Sequence, residues 1–179
     1  KIEESDALAR LGTERFEYFL VTLHRSENVD LPERMQEIFK GLSAVGSKYG
    51  KPIFVSVHPR TASKIKEFGT DIDTTNIRLV DAMGFFDFVK LEKNALAVLT
   101  DSGTVQEECC IFGIPNVTVR DVTERPETIE CGSNILSGGG PQDILRAVDL
   151  ALSQPANWTP PAEYLATNVA NVVSKIVLG

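Results

Sequence analysis

Residues 99–117, LTDSGTVQEECCIFGIPNV, run from an apolar stretch into a break at Asp101-Ser102-Gly103. A carboxylate pair, Glu107-Glu108, and a thiol pair, Cys109-Cys110, follow. The pattern predicts a buried strand, a tight turn and a helix, and the chemistry it suits is anion binding. Gly103 has no Cβ, so a ligand can approach the backbone. The free N–H groups of a helix's first turn, the Ser102 hydroxyl and the helix dipole then suit a phosphate or diphosphate. Glu108 falls about one and a half turns further on, where a carboxylate can accept both hydroxyls of a ribose. The plainer alternative is that Ser102 caps the helix while Glu107 and Glu108 face water, and for the Asp-Ser-Gly turn alone it is at least as common.

Other reactive side chains stand at the ends of apolar runs. His24 and Arg25 close FEYFLVTLH, where phosphate contact or proton handling competes with an ordinary strand-end hydrogen bond. His58, the only other histidine, closes PIFVSVH in the same way. Arg120, Arg125 and Glu127 lie in the polar stretch RDVTERPETIECG. An arginine there can clamp a phosphate, or Arg120 and Asp121 can form a local ion pair. Phe85, Phe86 and Phe88 read mainly as helix packing, with one of them able to lie against a base. There is no nucleophile–base–acid triad, no metal-ligand spacing, no GxGxxG and no Walker loop.

These residues need a frame, and the chain supplies strand and helix signals in alternation. Strands are predicted at 16–24, 52–58, 76–82, 96–100, 114–119 and 132–138. Helices are predicted at 31–50, 61–69, 84–95, 103–113 and 141–153, with a last one in PAEYLATNVANVVSKIVLG and SQPANWTPP as a surface connection before it. Short apolar strands separated by helices make a doubly wound α/β fold, a parallel sheet covered on both faces. Ligands of such sheets bind beyond the carboxyl ends of the strands, which is where HRSEN, HPRT and DSGT fall.

The 179 residues fit one domain. A net charge of −7 argues against a nucleic-acid partner, although local amides and a few arginines can still reverse the field inside one cleft. Three cysteines, Cys109, Cys110 and Cys131, match no zinc or redox spacing and read as reduced thiols, the adjacent pair as small core residues. No run approaches a membrane span and no signal peptide is visible, so a cytoplasmic location is expected. The opening KIEESDALARLG, helix-like and without a Met, suggests a piece of a longer protein.

Taken together, VTLHRSENVD, VSVHPRT and the long run GFFDFVKLEKNALAVLTDSGTVQEECCIFGIPNVTVRDVTERPETIECGSN resemble the C-terminal half of the non-hydrolysing UDP-N-acetylglucosamine 2-epimerases. The likeness runs from about residue 16 to about residue 150 and returns in EYLATNVANVVSKIVLG. It implies the Rossmann-like second half of a glycosyltransferase-B-type two-domain fold, with residues 1–179 as a single nucleotide-sugar-binding domain. It implies His24 as the catalytic candidate, contacting the diphosphate or sugar, and Ser102, Gly103 and Thr104 as diphosphate contacts, with Thr104 where many relatives have glycine. It gives Glu108 to the ribose, Arg125 to a phosphate and Phe88 to the uracil pocket, with Met83 at the position of the family's uracil-side glutamine. Arg25 and His58 match positions that touch a second, regulatory nucleotide sugar in some members, although HPR departs from the usual His-x-Asn-Pro.

The reaction implied inverts C2 by loss of UDP to a 2-acetamidoglucal and re-addition of UDP. The proton-moving carboxylates belong to the N-terminal half, no cofactor or metal is required, and the full-length enzyme is expected to be a homodimer. GFFDFVKLEKNA and the C-terminal stretch also resemble a branch acting on UDP-2-acetamido-2,6-dideoxy sugars for surface polysaccharides. A glycosyltransferase donor domain and a non-enzymatic sensor are the other readings.

Overall fold

A computed structural model describes residues 1–179. In chain order the elements are α1 (Ala7–Leu11), β1 (Phe19–Thr22), α2 (Ser26–Val29), α3 (Pro32–Tyr49), β2 (Ile53–Val57), α4 (Pro59–Phe68), β3 (Ile77–Asp81) and α5 (Phe85–Glu92). They continue with β4 (Ala97–Thr100), α6 (Gly103–Phe112), β5 (Asn116–Thr118), α7 (Pro126–Glu130), β6 (Asn134–Leu136), α8 (Pro141–Ser153), a 3-10 turn (Ala162–Leu165) and α9 (Val169–Leu178).

The six strands form one sheet in the order β3-β2-β1-β4-β5-β6. Every pairing is parallel. This is the doubly wound arrangement expected from the alternation of elements. Each strand is too short to stand alone; β2, β4 and β5 are buried at every residue and β1 at all but Thr22, whereas the edge strand β3 buries only Ile77. Phe19 and Val21 of β1 join α3 and α8 in one core, through Ile38, Leu42, Ile144 and Val148. Tyr18 and Leu20 point to the opposite face and pack with Leu91, Val105 and Cys109 of α5 and α6, as the two-residue period of a strand requires. Gly41 lets α3 and α8 approach, since a Cβ there would stand 2.9 Å from Ile144 Cδ1 and 3.2 Å from the Pro141 backbone.

Pro32 opens α3 and Gly50 closes it in the left-handed conformation (φ 61°), the start and stop read from the sequence. Cys109 and Cys110 are buried, consistent with their reading as core residues. Two helices lie in segments read as loops, α2 after the first strand and α7 inside RDVTERPETIECG. Residues 154–161 are irregular, anchored by Trp158 Nε1, which donates to the Cys110 carbonyl at 2.9 Å. No helix is long and apolar enough to cross a membrane.

Candidate functional site

Strand order reverses between β1 and β4, which lie side by side with Thr22 opposite Thr100. The turns leaving these two strands therefore meet, and the crevice between them is the ligand position of this architecture. Asp101 joins them. Its carboxylate is wholly buried and accepts from the backbone N–H of His24 at 3.0 and 3.1 Å, from that of Arg25 at 2.9 Å and from Asn28 Nδ2 at 3.1 Å. His24 Nδ1 lies 3.1 Å from Asp101 Oδ1. His24 is half exposed, so its ring stands beside the buried carboxylate with one side open to solvent.

On the β4 side, Ser102 occupies the N-cap of α6 with extended backbone (φ −90°, ψ 128°), yet its side chain makes no capping hydrogen bond. No acidic residue stands in the first turn either. Ser102 therefore does not cap the helix through its side chain, and no side chain of the first turn covers the first N–H groups of α6. A Cβ on Gly103 would meet the Arg125 guanidinium at 3.5 Å, which sets Arg125 directly over the start of the helix.

A network of neutral side chains holds Arg125 there. Gln106 is fully buried in α6. Its Oε1 accepts from Thr123 Oγ1 at 2.7 Å and from Asn134 Nδ2 at 3.3 Å. Thr123 Oγ1 in turn accepts from the Arg125 N–H at 3.0 Å, and Thr128 Oγ1 donates to the Arg125 carbonyl at 2.7 Å. Pro126 opens α7 immediately after Arg125. The guanidinium pairs through Nε with Glu107, and this contact raises its pKa above the ordinary arginine value.

His24, Arg25, Ser102, Gly103, Thr104, Glu124 and Arg125 line one cleft of about 450 Å³ with no apolar wall residue. Arg25 adds a buried Nε that has no protein partner, a donor suited to an anion. Arg120, nearly buried, is paired with Glu27 and Glu124 at 2.6 Å each. It therefore offsets the one carboxylate in the lining. The alternative of a local Arg120–Asp121 pair is not found: Asp121 meets Arg34 at 3.0 Å instead. The cleft can hold a small polyanion, and its size falls within the range of small-molecule sites.

Glu108, Phe88 and His58, also named as candidate site residues, lie outside that lining. Glu108 sits further along α6, half-buried, its pKa raised by burial and then by the charge of Glu107. Phe88 packs, partly buried, against the core beneath α5. His58 is exposed at the N-cap of α4, where Nδ1 accepts from the Arg60 N–H at 3.3 Å. Asp101, Gln106 and Glu107 were not singled out as site residues. The signal for Asp101 was present, since a carboxylate ending an apolar strand needs donors, but the donors become visible only once β1 and β4 are neighbours. No group of His, Cys, Asp and Glu is arranged to hold a metal ion.

Gly103→Ala separates ligand approach from folding. The added methyl makes only ordinary contact with Arg125. Alanine in a helix is favoured over glycine by about 0.5–1 kcal/mol. The melting temperature should hold or rise, while affinity for inorganic pyrophosphate, measured by calorimetry, should fall about tenfold, equivalent to about 1.4 kcal/mol.

The sequence profile of the family described as UDP-N-acetylglucosamine 2-epimerase matches residues 1–177. The UDP-N-acetylglucosamine 2-epimerase of Methanocaldococcus jannaschii is 47% identical over 148 residues, covering 81% of this chain and 40% of that protein. That of Methanococcus maripaludis is 40% identical over 170 residues, covering 93% and 46%. The solved structure of the M. jannaschii enzyme in complex with UDP-GlcNAc and UDP aligns with a TM-score of 0.88 at 38% identity, over 99% of this chain and 50% of that one. The chain thus spans about half the length of the relatives it matches. With a profile match that runs almost end to end and the same fold recurring in a solved member, the chain belongs to the UDP-N-acetylglucosamine 2-epimerase family.

Proposed function

We propose that this chain is the C-terminal, nucleotide-holding half of a non-hydrolysing UDP-N-acetylglucosamine 2-epimerase of glycosyltransferase-B-type architecture. The observation that carries the reading is the wholly polar cleft at the sheet's reversal point, where uncapped α6 donors, Arg25 and Arg125 converge beside His24. Family membership and the UDP complex of the M. jannaschii relative support a uridine diphosphate as its occupant.

The full-length enzyme interconverts UDP-GlcNAc and UDP-ManNAc. A base from the other half removes the C2 proton, and the electron pair forms the C1–C2 double bond as the C1–O bond breaks. UDP leaves with the pair from that bond. Re-addition of UDP to C1, with protonation of C2 on the opposite face, gives the epimer. Charge builds on the diphosphate as it departs. Preorganised donors at Ser102, Gly103 and Thr104, with Arg125, stabilise it more than they stabilise the bound substrate, which is how such a site lowers a barrier. His24, oriented by Asp101, contacts the diphosphate or sugar. Alone, the chain binds UDP weakly and catalyses nothing. The whole enzyme works as a cytoplasmic homodimer in polysaccharide biosynthesis.

The test is isotopic. Full-length enzyme incubated with UDP-GlcNAc in D2O incorporates deuterium at C2 as the epimer forms. Incorporation only with a UDP-2-acetamido-2,6-dideoxy sugar would move the substrate to that branch. Sugar transfer that depends on an acceptor, with no C2 exchange in any UDP-hexosamine, would replace the epimerase by a glycosyltransferase.

A further inference from the structure

Arg120 follows β5 with its side chain only 5% exposed, a place where an unpaired cation is costly. Its main chain is fixed by the Gly138 N–H, which donates to the Arg120 carbonyl at 2.9 Å. From there its guanidinium reaches two ways. Nε donates to Glu27 Oε1 and Nη1 to Glu124 Oε2, each at 2.6 Å. Glu27 belongs to α2, whose N-cap is Arg25, and Glu124 immediately precedes Arg125, the N-cap of α7. One planar fork thus holds both the element that presents Arg25 and the element that presents Arg125. Asn28 also crosses from α2, to the Val119 carbonyl at 2.8 Å, but that contact fixes the chain just past β5 and not the residue beside Arg125.

The pairing is poorly placed to serve stability. Glu27 and Glu124 are about half exposed, so water can solvate them without a partner, and ion pairs with such members contribute little to folding. Burying the guanidinium has a desolvation cost, and the best-attested use of such a charge is to fix geometry. Arg25 and Arg125 line the same cleft, where two cations repel each other and would drift apart if their loops were free.

We propose that Arg120 is a positioning residue: it ties the two walls of the cleft together and sets the spacing of Arg25 and Arg125 to span the two phosphates of a diphosphate. This role rests on the reading of the cleft as a diphosphate site. Fixing the spacing before the ligand arrives removes an ordering cost from binding. It goes beyond neutralising Glu124, which any cation in that place could do.

A fixed spacing matters to an anion that carries two phosphates and not to one that carries a single phosphate. Calorimetric titration of inorganic pyrophosphate and of orthophosphate into the chain, well below each variant's melting temperature, tests this. Arg120→Lys keeps a cation beside Glu124 but lacks the fork that holds both carboxylates. It should bind pyrophosphate about tenfold more weakly than wild type and lose less than about threefold for orthophosphate, which either arginine can hold alone. Arg120→Met removes the neutralising charge as well and should lose about 30-fold for pyrophosphate; adding Glu124→Gln should recover about threefold of that and leave the rest. An Arg120→Lys protein that binds both anions like wild type overturns the proposal, as do equal losses for the two anions. Full recovery in the Arg120→Met, Glu124→Gln double variant also overturns it, because Arg120 would then only neutralise Glu124. If Arg120→Met fails to fold, the two Arg120→Lys titrations decide alone. Wild type that takes up neither pyrophosphate nor UDP sinks the diphosphate reading itself and the clamp with it, whereas the outcomes above leave that reading standing.

Discussion

Asp101→Ala is expected to abolish measurable UDP binding and to destabilise the fold by about 3 kcal/mol or more. The carboxylate is wholly buried and accepts from the N–H groups of His24 and Arg25 and from the Asn28 amide, with the His24 ring close beside it. Removal leaves these donors dry and unpaired, at about 1–3 kcal/mol each where the loop cannot relax to reach water. It also frees the turn that presents His24 and Arg25 to the cleft, so stability and binding fail together. For a chain of this size that corresponds to a fall in melting temperature of about 10 °C. Asp101→Asn keeps one acceptor and should fall between wild type and alanine in both urea denaturation and UDP titration. A fully stable Asp101→Ala protein would mean that the His24 turn is held by something else.

Arg125→Ala should cost about 100-fold in UDP affinity, equivalent to about 3 kcal/mol, with little change in stability. Two effects add. The first is loss of a charge-assisted contact to phosphate, which is worth about 1.5–3 kcal/mol. The second is electrostatic: Arg125 neutralises Glu107, and without it that carboxylate is left unpaired beside the diphosphate. A diagnostic follows. Glu107→Gln added to Arg125→Ala should recover about tenfold of the lost affinity, since it removes the repulsion but not the missing donor. Arg125→Lys should recover less than a full contact, because an ammonium lacks the planar fork of the guanidinium. The fold should tolerate all of these, because the pair is about one-third exposed and exposed ion pairs contribute little to stability. Equal affinities in Arg125→Ala and wild type would remove Arg125 from the site.

The architecture was legible in the sequence for a definite reason: buried parallel strands are continuous apolar runs, and helices between them carry caps and amphipathic spacing. FEYFLVTLH and IPNVTV were drawn too long. Tyr18, Leu23 and Val119 are buried but lie outside the strand bounds, and hydrophobicity reports burial rather than hydrogen bonding. The helix α7 escaped because five residues give no periodicity, although Pro126 marked its first turn. Within the cleft, the Asp-Ser-Gly turn and the strand-end segment HRSEN were readable as candidates for anion chemistry from residue type alone, whereas HPRT, with His58, lies outside it. What joins them was not. Asp101 takes its meaning from β1 lying beside β4, 77 residues away along the chain at the His24 contact. Arg120 takes its partners from Glu27 and Glu124 rather than from its chain neighbour. Local chemistry is written in a stretch of ten residues; the electrostatics of a cleft are written in the sheet order.

The most direct test of the account is a crystal structure of this chain with UDP. The diphosphate should lie across the start of α6, with oxygens within hydrogen-bond distance of the Gly103 and Thr104 N–H groups and the Arg125 guanidinium, and with His24 beside it. A nucleotide bound elsewhere, or a diphosphate held in solvent away from these donors, would contradict it.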